Sequence, residues 1–328
     1  MKEALRLFRT LEDAAGKFGP CALTIGNFDG THIGHQRIFK RVAEVARENG
    51  WKAATLTFEP HPAKVVAPAR APKLLTTPEQ RARSMHAFGI EEVLILPFDR
   101  SLASLTPEEF VQRVLVSALN ARAVLVGDNF HFGAKQAGDT STLRALGKRY
   151  GFVVETVDPV SFRRGMVSSS RIRTLIEEGD VATAGRLLGR WFSLSGEVVP
   201  GHGVGSKQTV PTLNLSTLAE VLPGRGVYVT RCTDDDDGRR WEAVTNAGHR
   251  PTFGGDDQLS IETFLLSPFE EPTPRRIQVE FLKKLRDEKK FDSPDALKRQ
   301  IMLDAGRALN YHRRLTKWAA GAPCYTET

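Results

Sequence analysis

From about residue 20 to residue 186 the chain alternates short apolar runs with helix-length amphipathic stretches, and few folds accept that order. CALTIGNF, KAATLTF, VLILPF, AVLVG and FVVETV read as buried strands. Between them, His35 to Asn49 carries apolar residues at Ile38, Val42 and Val45 and stops at Gly50. Pro78 to Phe88 and Pro107 to Asn120 are further helices, the second opened by a Thr106 cap and a first-turn proline. Strands separated by helices of this length form a parallel α/β sheet with helices on both faces. Ligands of such sheets bind beyond the carboxyl ends of the strands.

After Arg190 the texture changes. WFSLSGEVV, TVPTLNL, GVYVTRCT, WEAVTNAG, SIETFLL and RIQVEFLKKL are short β segments punctuated by Gly, Pro and Asp. A helix opened by Ser293-Pro294 then runs toward Tyr311. Six strands and a terminal helix predict a small antiparallel barrel. TDDDDGRR, Thr233 to Arg240, reads as an exposed hairpin turn. A chain of 328 residues suits two domains, 1–186 and 187–328, divided within EEGDVATAGRLLGR. The N-terminal MKEALRLFRTLEDAAGKFG reads as a short amphipathic opening.

Composition excludes several classes. With 41% hydrophobic and 26% charged residues the chain is of ordinary globular type, and no run approaches the about 20 apolar residues of a membrane span. Three scattered cysteines, Cys21, Cys232 and Cys324, make neither a CxxC zinc pair nor an even disulfide set, which points to the reducing cytoplasm. The formal charge of +7 favours anionic partners. Its basic residues are dispersed and no nucleic-acid module is recognisable, so phosphorylated small molecules fit better than DNA, RNA or a membrane.

The ten residues GNFDGTHIGH, Gly26 to His35, sit where the first strand stops and the first long helix starts. Gly26 and Gly30 allow close backbone approach, and the helix start offers unpaired N–H groups at a positive dipole end. His32 and His35, on either side of Gly34, add two imidazoles there. Together these groups suit phosphate oxygens and the charge that develops as a phosphoanhydride breaks. SSSRIR opens another helix, with Ser168, Ser169, Ser170, Arg171 and Arg173 suited to phosphates or, more plainly, to capping and solvation. In GDNFHFG, Asp128 and Asn129 lie at a further carboxyl-end loop; Phe130 and Phe132 suit stacking on a flat ring or ordinary core packing. His61, between two prolines, serves either a site or a turn.

In the barrel segment GHGVG supplies Gly201, Gly203 and Gly205 just before PTLN, whose Thr212 hydroxyl and Asn214 amide oxygen are hard ligands suited to Mg2+. Glu262 lies mid-strand among apolar residues. It is costly if it faces the barrel interior and unremarked if it faces water on an edge strand; alternation does not settle which.

These motifs, in this order, resemble the prokaryotic bifunctional riboflavin kinase/FAD synthetase family: GNFDGTHIGH its HxGH nucleotidyltransferase signature, with TFEPHP, VGDNFHFG and VSSSRIR following. TVPTLNL resembles the PTAN motif of riboflavin kinases, with Leu213 where alanine is usual. The resemblance covers nearly the whole chain. It implies a Rossmann-like nucleotidyltransferase domain followed by a riboflavin kinase barrel. The implied substrates and products are riboflavin, FMN, FAD and ATP, with Mg2+ assisting.

It implies catalysis by His32 and His35 as electrostatic stabilisers and by Glu262 as general base. ATP and phosphates would be held by Gly26, Phe28, Asp29, Gly34, Ser168, Ser169, Ser170, Arg171, Arg173 and the glycines at 201, 203 and 205. The flavin would meet Asp128, Asn129, Phe130, Phe132, Asn246, Arg250 and Arg286. Ser206, Thr209, Phe264, Ser267 and EEPTPRR depart from the kinase pattern. They raise a second reading, FAD synthetase alone with the barrel as a flavin-binding or regulatory module.

Overall fold

The structure, a computed structural model, describes residues 4–163, 165–200, 212–250, 258–267 and 272–321. Two compact units divide between Arg171 and Ile172. The first unit is built on six parallel strands: β1 (Arg6–Phe8), β2 (Cys21–Ile25), β3 (Lys52–Glu59), β4 (Glu92–Pro97), β5 (Ala121–Gly127) and β6 (Val153–Val157). Their spatial order is β1-β4-β3-β2-β5-β6. A two-stranded hairpin, β7 (Ser161–Phe162) and β8 (Gly165–Met166), follows. The helices of this unit are α1 (Leu11–Ala14), α2 (Ile33–Asn49), α3 (Pro62–Val66), α4 (Pro78–Ala87), α5 (Arg100–Ser104), α6 (Pro107–Phe110) and α7 (Thr140–Tyr150). Helix α8 (Ser169–Glu177) begins at its end.

All five residues of β2 are buried, as a central parallel strand covered on both faces requires. One face packs Phe110, Val111, Val114, Leu115 and Leu143; the other packs Phe39, Val42, Ala46 and Met85. Local signals set the helix ends. Gly50 closes α2 at φ 67°, and Thr77–Gln80 and Thr106–Glu109 form reciprocal capping boxes on α4 and α6. The expected helix from Pro107 widens into a π-helical stretch, Val111–Ala118. The amphipathic N-terminal opening contributes an edge strand as well, since three residues are too few to show a period.

The chain leaves β2 toward β3 on one side, and β5 pairs on its other side. This is the point at which strand order reverses, where α/β sheets open a crevice for ligands.

In the second unit α9 (Val181–Leu188) packs on β9 and β14 of a closed antiparallel barrel. The barrel strands are β9 (Phe192–Val199), β10 (Thr212–Ser216), β11 (Gly226–Asp234), β12 (Arg240–Arg250), β13 (Gln258–Leu265) and β14 (Arg276–Arg286), in spatial order β10-β13-β12-β11-β14-β9. The packing of α9 places the division of the compact units ahead of residue 187, where the sequence texture changes from helix to strand. Tyr228, Cys232, Ile261, Val279 and Phe281 fill the interior, where the Thr230, Thr245 and Thr263 hydroxyls form a buried chain at 2.8 and 3.0 Å.

Helix α10 (Pro294–Gly321) lies across the outer face, with Ala308, Tyr311 and Leu315 against Val227, Val229 and Val244. His312 holds the Thr230 carbonyl at 3.1 Å, beside an irregularity in the β11–β14 register. The acidic turn after β11 is more than an exposed hairpin: Asp234 is buried and paired with Arg239 at 3.2 Å. Among the described residues no helix is long and apolar enough to cross a membrane.

Candidate active sites

The loop after β2 is sharply folded. Phe28, Gly30 and Thr31 have φ of 49°, 78° and 43°, a left-handed conformation that non-glycine residues adopt only when their surroundings enforce it. Gly26 is required here, because a Cβ would lie 2.9 Å from the Phe28 ring. That ring is buried and packs edge-on to His35 and Phe39, so Phe28 shapes the loop from beneath.

His32 is the N-cap of α2, its Nδ1 accepting from the His35 backbone N–H at 3.3 Å. A nitrogen that accepts carries no proton, so this ring's N–H lies at Nε2. His35 stacks on His32 with centroids 3.5 Å apart. Burial, and then the neighbouring His32, push its pKa well below the ordinary 6.5, so His35 is neutral at neutral pH. His35 therefore offers the site a dipole and no full charge. A Cβ on Gly34 would meet the His32 ring at 3.2 Å. Thr31 Oγ1 and His35 Nδ1 are buried without hydrogen-bond partners.

Three of the expected phosphate residues are occupied with bracing backbone. The buried Asp29 carboxylate accepts from the backbone of Leu75 and Thr76 and from the Thr76 hydroxyl, at 3.0–3.1 Å. Ser169 Oγ donates to the Asp29 carbonyl at 2.8 Å, which joins the start of α8 to the loop and brings two distant motifs together. Arg171 Nη1 reaches the carbonyls of Phe162, Gly165 and Met166, bracing the β7–β8 hairpin, while Ser168 Oγ accepts from its backbone. Ser170 is exposed at the same helix start; Arg173 is half-buried in the second unit.

At the neighbouring end of β5, Asp128 and Asn129 are exposed. Phe132 belongs to the core, and Phe130, half-buried, stacks on it at 5.5 Å and 15°. Only Phe130 of the two presents surface. His61 caps α3, its Nδ1 accepting from Ala63 N–H at 3.1 Å. Sequence reasoning missed Arg81, a fully buried cation that donates to Asn27 O; helical spacing had marked the position only as one turn of α4.

In the barrel the strand register settles what alternation left open. Asn214 pairs with Glu262, Glu262 with Asn246, Asn246 with Val227, and Val227 with Arg286. These five residues form one row across β10, β13, β12, β11 and β14. Their sequence neighbours Leu213, Thr245 and Thr263 are fully or nearly fully buried, with the two threonines in the interior hydroxyl chain, so the row is on the outer face. Glu262 is half-buried there, and β13 is a paired central strand of a closed barrel, neither an interior nor an edge position. Thr212, two residues before Asn214, shares that face.

Arg286 is held by Asp304 of α10, its Nε at 2.9 Å and Nη2 at 2.8 Å, and lies against Phe291. Phe264 packs under α10 with Val244, which accounts for an apolar residue at that position, and Ser267 is exposed. A Cβ on Gly248 would meet the ends of the Glu288 and Asn246 side chains, so a larger residue there would shift these groups beside the row. Gly201, Gly203, Gly205, Ser206, Thr209 and the Arg250 side chain lie outside the described residues.

Comparison with known proteins agrees with both halves. The family model for FAD synthetase matches residues 16–171, and that for riboflavin kinase matches residues 188–312. The bifunctional riboflavin kinase/FMN adenylyltransferase of Pseudomonas fluorescens is 38% identical over 307 residues, covering 93% of this chain and 98% of its own. That of Escherichia coli K12 is 36% identical, covering 87% and 90%. A solved Streptococcus pneumoniae structure titled a macrolide-efflux protein superposes with a TM-score of 0.83 at 28% identity, covering 93% and 98%. The match over the barrel supports the two-activity reading over the one with a silent second domain. The chain thus belongs to the bifunctional riboflavin kinase/FMN adenylyltransferase family, and it converts riboflavin to FMN and FMN to FAD with ATP.

Proposed function

We propose that the two reactions run at two separate places, adenylylation at the loop after β2 and phosphorylation on the outer face of the barrel. The boundary between the activities falls in the helices α8 and α9. The observation that carries the reading is the cross-strand pairing of Asn214 with Glu262, which sets an amide oxygen and a carboxylate side by side.

In adenylylation the FMN phosphate attacks the α-phosphorus of ATP, and pyrophosphate leaves. No covalent intermediate is needed, so the protein supplies alignment and charge stabilisation. The N–H groups at the start of α2 and the His32 Nε2–H are directed to phosphate oxygens, with neutral His35 stacked behind. Ser168 and Ser170 complete the phosphate side; Asp29, Ser169 and Arg171 keep the loop and the α8 start in place. Asp128, Asn129 and Phe130 form the flavin side.

In phosphorylation the Glu262 carboxylate takes the proton of the ribityl 5′-hydroxyl as its oxygen attacks the γ-phosphorus, and ADP leaves. Thr212 and Asn214 suit Mg2+: both are neutral oxygen donors on one strand face, and no cluster of three His, Cys, Asp or Glu among the described residues competes for a metal. So sparse a donor set fits an ion that arrives with nucleotide phosphates, whose charge it neutralises when bound. Asn246 and Arg286 extend the row on the flavin side.

Product analysis by chromatography tests this. Glu262→Gln is expected to lower FMN formation from riboflavin about 100- to 10,000-fold, with FAD formation from FMN unchanged. Wild-type FMN formation by the variant would remove Glu262 from the mechanism.

A further inference from the structure

Arg81 lies in none of the motifs that mark the adenylylation site, yet its side chain is fully buried. Nη1 donates to the Asn27 carbonyl at 2.8 Å and lies 3.5 Å from Thr57 Oγ1; Nη2 donates to Glu59 Oε2 at 2.9 Å. Its Nε is buried with no partner. A guanidinium is expensive to bury, and an apolar side chain of similar length would pack at this place at less cost. The position is therefore not explained by packing. What the cation does is join the loop after β2, through Asn27, to the carboxyl end of β3, through Glu59.

Helix α4 fixes the same loop a second time. The residues leading into it, Leu75 and Thr76, donate to the Asp29 carboxylate, and Thr76 Oγ1 accepts from the Gly30 N–H at 3.1 Å. Asn27 and Asp29 are thus both tethered to one helix, and the left-handed residues Phe28, Gly30 and Thr31 lie at or just after these tethers. Backbone in that conformation persists where its surroundings over-determine it.

We propose that Arg81 is a positioning residue for adenylyl transfer. By holding the Asn27 carbonyl it fixes the turn that sets the direction of His32, His35 and the α2 N-terminus toward the nucleotide phosphates. It acts through the loop and touches no substrate. The proposal rests on the reading of residues 26–35 as the adenylylation site.

The test uses the full chain with ATP and Mg2+, given FMN or riboflavin, in Arg81→Met, Arg81→Lys and His32→Ala variants. Arg81→Met is expected to lower kcat for FAD formation about 100-fold, the loss that a misplacement of about 1 Å brings. The KM for ATP changes far less, and FMN formation from riboflavin in the same preparation is unchanged. Arg81→Lys, whose ammonium still reaches the carbonyl, recovers most of the loss. Amide hydrogen exchange rises in residues 26–32 of Arg81→Met and stays as in the wild type in β4 and β5.

Wild-type kcat in Arg81→Met overturns the proposal. So does a loss that follows a fall in melting temperature, with exchange raised throughout the first unit. If Arg81→Met does not fold, Arg81→Gln, which removes the cation but keeps a polar side chain, decides: lower kcat with exchange raised only in 26–32 supports the proposal, and wild-type values for both overturn it. His32→Ala separates the two levels. FAD formation intact in His32→Ala removes the site reading itself, whereas a dead His32→Ala beside a fully active Arg81→Met removes only Arg81.

Discussion

Removing the Asp304 carboxylate should unfasten α10 from the barrel. Its side chain is 2% exposed and receives Arg286 Nε at 2.9 Å, Arg286 Nη2 at 2.8 Å and Gln300 Nε2 at 2.9 Å. Asp304→Ala leaves a guanidinium that is 17% exposed without its counter-charge. Breaking a buried pair from one side costs about 3–5 kcal/mol. Arg286 keeps the Asp287 carbonyl at 3.0 Å and some water, which puts the loss near the lower end, about 3 kcal/mol.

For a unit of this size that lowers the melting temperature by roughly 6–12 °C. The assay is residual activity after graded heating, with FMN formation reporting the second unit and FAD formation the first. Only the kinase midpoint should fall. The double variant Arg286→Met/Asp304→Leu should recover most of the stability, since apolar replacement of a buried pair is often neutral. It should not recover the kinase rate if Arg286 serves the flavin side. A midpoint shift below about 1 °C, or an equal fall in both activities, would refute the assignment of this pair as the clasp of α10.

Other outcomes follow from the same geometry. His35 has its folded pKa below the unfolded 6.5, so the unfolded state binds the extra proton. The stability this gives the first unit is present above about pH 6.5 and is lost as pH falls below it, by at most about 1.4 kcal/mol per pH unit. Melting curves at pH 7.5 and 5.5 should show the loss, and His35→Gln should flatten it. Cys21 and Cys232 are buried, and burial raises both thiols, Cys232 to about 12. Peptide mapping after alkylation of the native protein should find both unmodified, and denaturant should expose both. Asp29→Ala strips the carboxylate from two backbone N–H groups and a hydroxyl, and should cost the first unit about 2–3 kcal/mol in denaturant titration, with FAD formation falling and FMN formation intact.

Much of the architecture was legible because its signals are local. The β2 run CALTI is apolar but for Thr24, α2 stops at a glycine with positive φ, and Thr106 is a cap whose partner lies three residues on. The candidate site in the first unit was legible for the same reason, since Gly26 to His35 is one contiguous segment. The edge strand β1 was not, because three residues carry no periodicity. The roles within the loop were also hidden: Asp29 and Arg171 have the residue types of ligand binders, and only their partners at residues 75–76 and 162–166 show that they brace backbone.

The barrel divides the same way. Its strand count and terminal helix are written in the spacing of Gly, Pro and Asp between β-type segments. The sequence alone determined that Thr212, Asn214 and Glu262 exist on strands. Which face they take depends on register against strands up to about fifty residues away, and a shift of one residue would turn each to the other side. The closed barrel fixed that register, placing Glu262 on the outer face between Asn214 and Asn246. In the same way only the packed first unit decided that a cation on α4 is fully buried and holds the Asn27 carbonyl, because its partners, Asn27 and Glu59, lie more than twenty residues earlier, after β2 and at the end of β3.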